Sequence, residues 1–420
     1  MDTVIVLFTR DLRVHDHPAL ATACAQARHV VPLFVLDPAV PAGPRTPFLL
    51  DCLADLREHL RARAGDLVVR HGDTVTETMK LAGEVSAEAV HTSADVSALA
   101  RRREDRLAAG RIPLRRFPGL TVVPPGALLP SGGGDHYRVF TPYWRAWSQY
   151  PRRAVLDPPE RVPIPAGIEA GRLPGREPYT GMRGGEKAAR ARAERWLRLS
   201  LDEYAEGRDD LAGDRTSRLS PYLRFGCLSP LELVTKAAGA FVRQLCWRDF
   251  HHQVTFAFPE IDRRDYRPRE VNWRDDQDAV QAWKEGMTGM PIVDAGMRQL
   301  AAEGWMHNRA RLITATYLVK YLRVDWRIGA RHFWELLLDG DVANNYGNWQ
   351  WVAGTGNDTR PNRAFNPLRQ ARRFDPEGEY VRRHVPELAG LPADRVHEPG
   401  RQAGYPSPLH PSDPPGGRRL

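Results

Sequence analysis

The sequence predicts an α/β domain with a parallel, Rossmann-like sheet, followed by an all-α domain. Three observations lead there. Short apolar runs alternate with amphipathic stretches as far as Ala109. Residues 151–183 are dense in Pro, Gly and Arg. From Glu186 onward the periodicity turns helical and stays so. The first pattern is that of a sheet covered on both faces, whose strands are continuously apolar.

The apolar run at residues 3–8 breaks at Arg10-Asp11-Leu12-Arg13 and reads as the first strand. Further strands are expected at 30–36, 67–70 and 89–91. Between them Leu49, Leu53, Leu56 and Leu60 recur at helical spacing, and residues 96–109 form an alanine- and arginine-rich helix. The strand order is not readable. No G-x-G-x-x-G follows the first strand and no G-x-x-x-x-G-K-[ST] occurs, so the usual phosphate-cradling turns are missing. Gly132-Gly133-Gly134 sits among Pro and Ser and reads as a flexible loop. Residues 151–183 read as an extended linker. Ser229-Pro230-Leu231-Glu232 reads as a helix start, with a Ser cap and Glu completing a capping box. Residues 291–304 and 306–320 read as two helices parted by a glycine, and the tail from Leu391 as loosely ordered. The expected division is 1–127, a linker 128–190, a helical domain 191–395 and a tail 396–420.

The 420 residues carry a net charge of +8, and only five of the basic residues are lysine. Arginine suits phosphate recognition, but a general replacement of lysine by arginine explains the composition as well, so only local placement decides. At 42% hydrophobic residues the chain folds rather than staying disordered. No apolar run is long enough to span a bilayer, and no signal-peptide core precedes Arg10. A cytoplasmic protein that avoids membranes is expected. Cys24, Cys52, Cys227 and Cys246 form no C-x-x-C pair and suggest neither a zinc nor a disulfide framework. There is no H-E-x-x-H and no G-x-S-x-G, and His15, His17, His251 and His252 read as capping or solvent-facing rather than metal-bound.

Nine of the 11 tryptophans fall between Trp196 and Trp351. Most read as core fillers. Trp349-Gln350-Trp351 is less ordinary, because Asn, Gly and Tyr interleave with the aromatics there. Just before it, Asp339 and Asp341 suit a cation site, a helix start, or acceptors for a cofactor ring.

Thr216-Ser217-Arg218-Leu219-Ser220, Trp247-Arg248-Asp249-Phe250, Gly304-Trp305-Met306-His307-Asn308-Arg309 and residues 339–351 occur in this order. With them the chain resembles the photolyase/cryptochrome family, closest to class I cyclobutane pyrimidine dimer photolyases. The resemblance runs from Leu7 to Tyr380 and implies an α/β antenna domain, a linker and a helical FAD domain. It implies that FAD, active as FADH⁻, is held by Tyr204, Thr216, Ser217, Arg218, Leu219, Ser220, Arg248, Asn308, Arg311, Asp339 and Asp341. Asn345 would face flavin N5, where a neutral amide favours the anionic reduced flavin, and so repair. Trp349, Trp326 and Trp273 would form the electron chain. Trp247 and Trp351 would wall the pocket for a flipped dimer of UV-damaged DNA, base flipping being the general device for such chemistry. Arg309, Arg363 and Arg373 would grip its phosphates.

Two positions depart from the family pattern. The usual pocket carboxylate is Gln244 and the usual pocket methionine is Leu312, so a protonatable acid is lost while volume is kept. Residues 361–366 look one residue short. The Asn-Glu pair that accompanies a folate antenna is missing near 95–99, which leans toward 8-hydroxy-5-deazaflavin, with folate or no antenna as alternatives. The implied activity is light-driven repair of cyclobutane dimers by a monomer. The rivals are a cryptochrome-like photoreceptor without repair and a flavin redox enzyme; histidines expected of (6-4) photolyases are absent at Asn308 and Leu312.

Overall fold

The computed structural model describes residues 1–40, 43–175, 181–357 and 363–410. The chain divides into two compact units, Met1–Leu201 with Ser217–Pro259, and Asp202–Thr216 with Glu260–Leu420.

The first unit contains a five-stranded parallel sheet. Its strands are β1 (Thr3–Leu7), β2 (His29–Leu36), β3 (Val68–His71), β4 (Ala89–Ser93) and β5 (Leu114–Phe117), in the order β3-β2-β1-β4-β5. Every residue of β1 is buried, as its unbroken apolar run requires of a central strand. Val4 pairs with Val30 on one side and Ala89 on the other. The winding direction therefore reverses between β1 and β4, the position where open parallel sheets take ligands. The fifth strand escaped the sequence reading because it is an edge, with Arg115 and Arg116 exposed and no apolar run to reveal it.

Helices α1 (Pro18–Gln26), α2 (Thr46–Arg61), α3 (Thr74–Glu84) and α4 (Ala98–Ala108) connect the strands. Helix α5 (Phe140–Gln149) falls within residues 128–190, the expected linker, and ends before the stretch 151–183 that reads as extended. Trp147 of α5 is fully buried and donates its indole N–H to Asp249 at 2.9 Å, which gives this helix a fixed seat. Helix α6 (Glu186–Ser200) opens with buried Glu186. Burial raises its pKa, but hydrogen bonds from His15, His59 and the Val14 amide outweigh that and hold it at about 2.

After α7 (Tyr204–Gly207), a part of the second unit, come α8 (Ser220–Phe225), α9 (Pro230–Lys236) and α10 (Gly239–Ala257) of the first. These three lie within the residues the sequence reading assigns to the helical domain, yet they pack with the sheet-bearing unit. Ser229 caps α9 as expected, accepting from the Glu232 amide at 3.3 Å. The reciprocal half of the capping box is missing: the Glu232 carboxylate pairs with Arg190 and Lys236, each at 2.8 Å. His251 and His252 are buried rather than solvent-facing, because α10 is covered along that stretch.

The second unit is helical: α11 (Gln277–Glu285), α12 (Pro291–Glu303), α13 (Asn308–Thr316), α14 (Trp326–Leu336), α15 (Val342–Ala353), α16 (Pro367–Phe374), α17 (Glu379–His384) and α18 (Ala393–Val396). Gly304 ends α12 with φ +60°, a conformation that glycine takes without a side-chain clash. Helix α13 begins two residues later than the periodicity suggests and runs on as a π-helical turn, Tyr317–Tyr321. Trp283, Tyr317, Trp326, Phe333 and Trp349 form the centre of the core. The tail is not loose between 396 and 410: buried Tyr405 donates to Asp294 at 2.5 Å, and the Leu409 amide donates to Thr288. Residues 411–420 of that tail, and Pro361 and Asn362 of the shortened segment, lie outside the described residues.

Candidate functional site

In the second unit the helical repeat sorts the implied flavin residues onto shared faces. Asn308, Arg311 and Leu312 stand at i, i+3 and i+4 of α13, and Asn345 and Trp349 stand one turn apart on α15. The Arg311 guanidinium pairs with both oxygens of Asp339, at 3.1 and 2.8 Å, a bidentate charge-assisted contact. Arg311 also donates through Nε to the Met306 carbonyl, so its fork is fixed from both ends. Asp341 is the N-cap of α15 and accepts from the Asn344 amide at 2.8 Å. Of the three roles open to it in sequence, helix start is realised. Buried Asn345 donates its side-chain N–H to the Ala330 carbonyl at 2.9 Å, which orients its amide. Asn308 is exposed and Leu312 half-buried. Thr216 donates to Asp214 at 2.8 Å, and burial pushes the Tyr204 hydroxyl up to about 12.

His307 is a site residue that the sequence reading did not single out, although it lies inside the Gly304–Arg309 motif. It caps α13 through Nδ1, which accepts from the Arg309 amide at 3.1 Å. Burial, and after it the nearby Arg311 and Arg309, lower its pKa to about 4 against the opposing charges of Asp214 and Asp209. The ring is therefore neutral at pH 7, and because Nδ1 accepts, Nε2 carries the proton. That buried N–H has no hydrogen-bond partner among the described residues. An orphaned buried donor costs on the order of 1–3 kcal/mol. Near the charge-paired Arg311, it fits an acceptor-rich group such as flavin.

The three tryptophans of the implied electron chain share one core. Trp326 is fully buried, donates its indole N–H to Asp265 at 2.9 Å and has the Arg327 guanidinium over its ring at 4.7 Å. Trp349 packs edge-on to Phe333 at 5.0 Å. Gly329, one turn after Trp326, makes room for it: a Cβ there would lie 2.2 Å from the Trp349 ring. Trp273 is half-buried at the margin of the same core.

The first unit carries the other implied groups. Arg218 takes φ +50°, a rare conformation outside glycine, in the turn that precedes α8. The Ser217 carbonyl accepts from Arg192 at 2.8 Å and its hydroxyl accepts from the Leu219 amide at 3.3 Å, while Leu219 is buried and Ser220 exposed. Gln244, Trp247 and Arg248 fall on one face of α10. The Trp247 ring is stacked on Phe140 at 3.6 Å with an interplanar angle of 4°, so it forms a braced, flat wall. Arg248 donates to the Leu120 carbonyl at 2.5 Å.

The three arginines implied for DNA differ in their surroundings. Arg363 lies over the Trp351 ring at 5.5 Å, and Phe365 stacks on the same ring at 6.3 Å. Arg373 is exposed beside Phe374. Arg309 does not fit the expectation of a free phosphate grip. Asp209 takes its guanidinium at 2.8 Å and Phe374 stacks under it at 4.3 Å, so its charge is already neutralised. Asp209 was invisible as a partner because one hundred residues separate the two in sequence. Among the described residues no group of three or more His, Cys, Asp or Glu could hold a metal ion, and no helix is long and apolar enough to cross a membrane.

Comparison with known proteins decides the family. The model for DNA photolyase matches residues 4–165, and that for the FAD binding domain of DNA photolyase matches residues 241–409. A deoxyribodipyrimidine photo-lyase of Streptomyces griseus is 50% identical, over 97% of this chain and 96% of its own. The chain belongs to the photolyase/cryptochrome family. Its FAD-binding domain and its α/β-then-helical architecture are those of that family. Among solved structures, a class III photolyase of Agrobacterium tumefaciens superposes with a TM-score of 0.88 at 33% identity, covering 98% of this chain and 95% of the other. A Synechocystis cryptochrome reaches 0.91 at 29%, covering 98% and 97%. Repair enzymes and a cryptochrome thus both share the fold, and the residues must choose between them.

Proposed function

We propose that the chain is a light-driven repair enzyme for cyclobutane pyrimidine dimers. The observation that carries this reading is Asn345, a buried amide held by the Ala330 carbonyl. An amide cannot ionise, so it hydrogen-bonds a reduced ring without a second negative charge. Asn308, Arg311 and Asp339 would bind the flavin ring and ribose, and His307 would supply a neutral donor. The hydroxyls of Thr216, Ser217 and Ser220 would bind the diphosphate. FADH⁻, when bound, supplies a light-excited one-electron donor. The protein then has to hold the lesion beside it and exclude water. Trp247 is braced by Phe140, and Trp351 has Arg363 above it; either ring would offer the lesion a flat apolar wall. Gln244 would donate to a pyrimidine carbonyl. Trp273, Trp326 and Trp349 would return electrons to an oxidised flavin.

For the antenna we propose the crevice outside the carboxyl ends of β1 and β4, where Arg10 pairs with Asp95 at 3.3 Å, and an 8-hydroxy-5-deazaflavin as its occupant. The photoreceptor reading draws its support from Gln244, which cannot deliver a proton to a dimer. A binding comparison separates the two readings: the flavin-loaded protein should bind dimer-containing single-stranded DNA at least tenfold more tightly than the undamaged strand. Equal affinity for both strands would remove the pocket and favour the photoreceptor.

A further inference from the structure

Cys52 of α2 and Cys227, the residue after the Gly226 that ends α8, lie 175 positions apart in sequence, yet their sulfurs are 3.3 Å apart. Both are fully buried and both are free thiols. The approach is set by the packing around them. Phe48, one turn before Cys52, packs its ring against Tyr222 at 5.4 Å and Phe225 at 5.1 Å of α8. Gly226 takes φ +69°, and a Cβ there would fall 1.9 Å from the Arg10 carbonyl, so the end of α8 lies close against the backbone that follows β1. On the other side, a Cβ on Gly184 would fall 2.7 Å from the Cys52 sulfur. A disulfide needs a separation of about 2.05 Å. The sulfurs must therefore close by little more than an ångström, within the reach of side-chain rotation.

We propose that Cys52 and Cys227 form a reversible disulfide that locks α8 to α2 under oxidising conditions. Its consequence rests on the flavin reading above, because Ser220, the first residue of α8, ends the Ser217–Ser220 turn assigned to the diphosphate. Fixing α8 at its far end restricts that turn. Full burial of both sulfurs excludes a bulky disulfide oxidant, so the reagent is a small peroxide. One thiol takes an oxygen from hydrogen peroxide and becomes a sulfenic acid, releasing water. The second thiol displaces hydroxide from that sulfur, its proton completing a second water. Two thiols and one peroxide give one disulfide and two waters, and a small dithiol reverses the reaction.

The test uses the flavin-loaded protein, incubated with hydrogen peroxide, quenched, denatured, alkylated and digested. The expected product is a peptide pair joined through Cys52 and Cys227, absent after dithiothreitol and absent in Cys227→Ser. Recovery of both cysteines as alkylated thiols, or their separate oxidation to sulfinic acids, would overturn the proposal. The second readout is the temperature at which flavin fluorescence appears on heating. Oxidation should raise it by several degrees in the wild type and leave it unchanged in Cys227→Ser. If the disulfide forms and that temperature stays put, the lock is refuted. If the protein binds no flavin at all, the peptide result still stands and the failure belongs to the flavin reading.

Discussion

Gly329→Ala provides a test of the packing that places the electron-chain tryptophans. Within a helix, replacing glycine by alanine ordinarily stabilises by up to about 1 kcal/mol, because alanine has the better helix propensity. At Gly329 the added methyl would lie 2.2 Å from the Trp349 ring and 2.6 Å from Leu318. Trp349 has no slack to give, with Phe333 at 5.0 Å and Trp283 at 6.1 Å against it. Overpacking of this kind costs roughly 1–3 kcal/mol and more when a ring must move. The clash should win, leaving a net loss of about 1–2 kcal/mol. The assay is thermal unfolding followed by circular dichroism, with Gly83→Ala as the control. Gly83 lies in α3, where an added methyl would meet nothing within 4 Å, so that variant should gain stability. A Gly329→Ala protein as stable as wild type, or more so, would refute the placement of Trp349 over α14.

Arg309→Ala should lower stability by about 1 kcal/mol while leaving the salt dependence of DNA binding intact, because Asp209 already neutralises that arginine. Arg363→Ala should instead reduce the slope of log affinity against log salt by about one, in binding titrations across a range of salt. Asp339→Asn removes the charge opposite Arg311 and should weaken flavin retention about tenfold, measured as flavin per chain after dilution and filtration. His307 has its pKa lowered to about 4, from 6.5 when exposed. The unfolded chain thus binds the extra proton between those values, and stability falls as pH drops from 6.5 toward 4, by about 3 kcal/mol in all for this group. His307→Gln should flatten that part of the profile in denaturant titrations.

The sheet was legible because buried parallel strands are written as unbroken apolar runs, as in residues 3–8 and 30–36. Its fifth strand was not, since an edge strand with two exposed arginines carries no such run. Helix starts were legible where a cap stands next to the helix, as at Ser229, but the destination of Glu232 depended on Arg190 in another helix. The same limit governed the site. Arg311 and Asp339 were both named by resemblance, whereas Asp209 beside Arg309 and Cys227 beside Cys52 are contacts across long sequence separations that no local pattern encodes. His251 and His252 looked exposable because histidine is polar; only the packing of α10 buries them. His307 lay in the Gly304–Arg309 motif without being noticed, since histidine is not among the usual helix caps.

The central claim is repair driven by light. The direct measurement is the dimer content of single-stranded DNA mixed with the purified protein, its flavin reduced, before and after near-ultraviolet or blue illumination, with a dark sample alongside. The account predicts loss of dimers and return of intact pyrimidines in the light, with none in the dark, and activity equal or higher in Gln244→Glu. Dimers that persist under illumination while reduced flavin and DNA are both bound would contradict it.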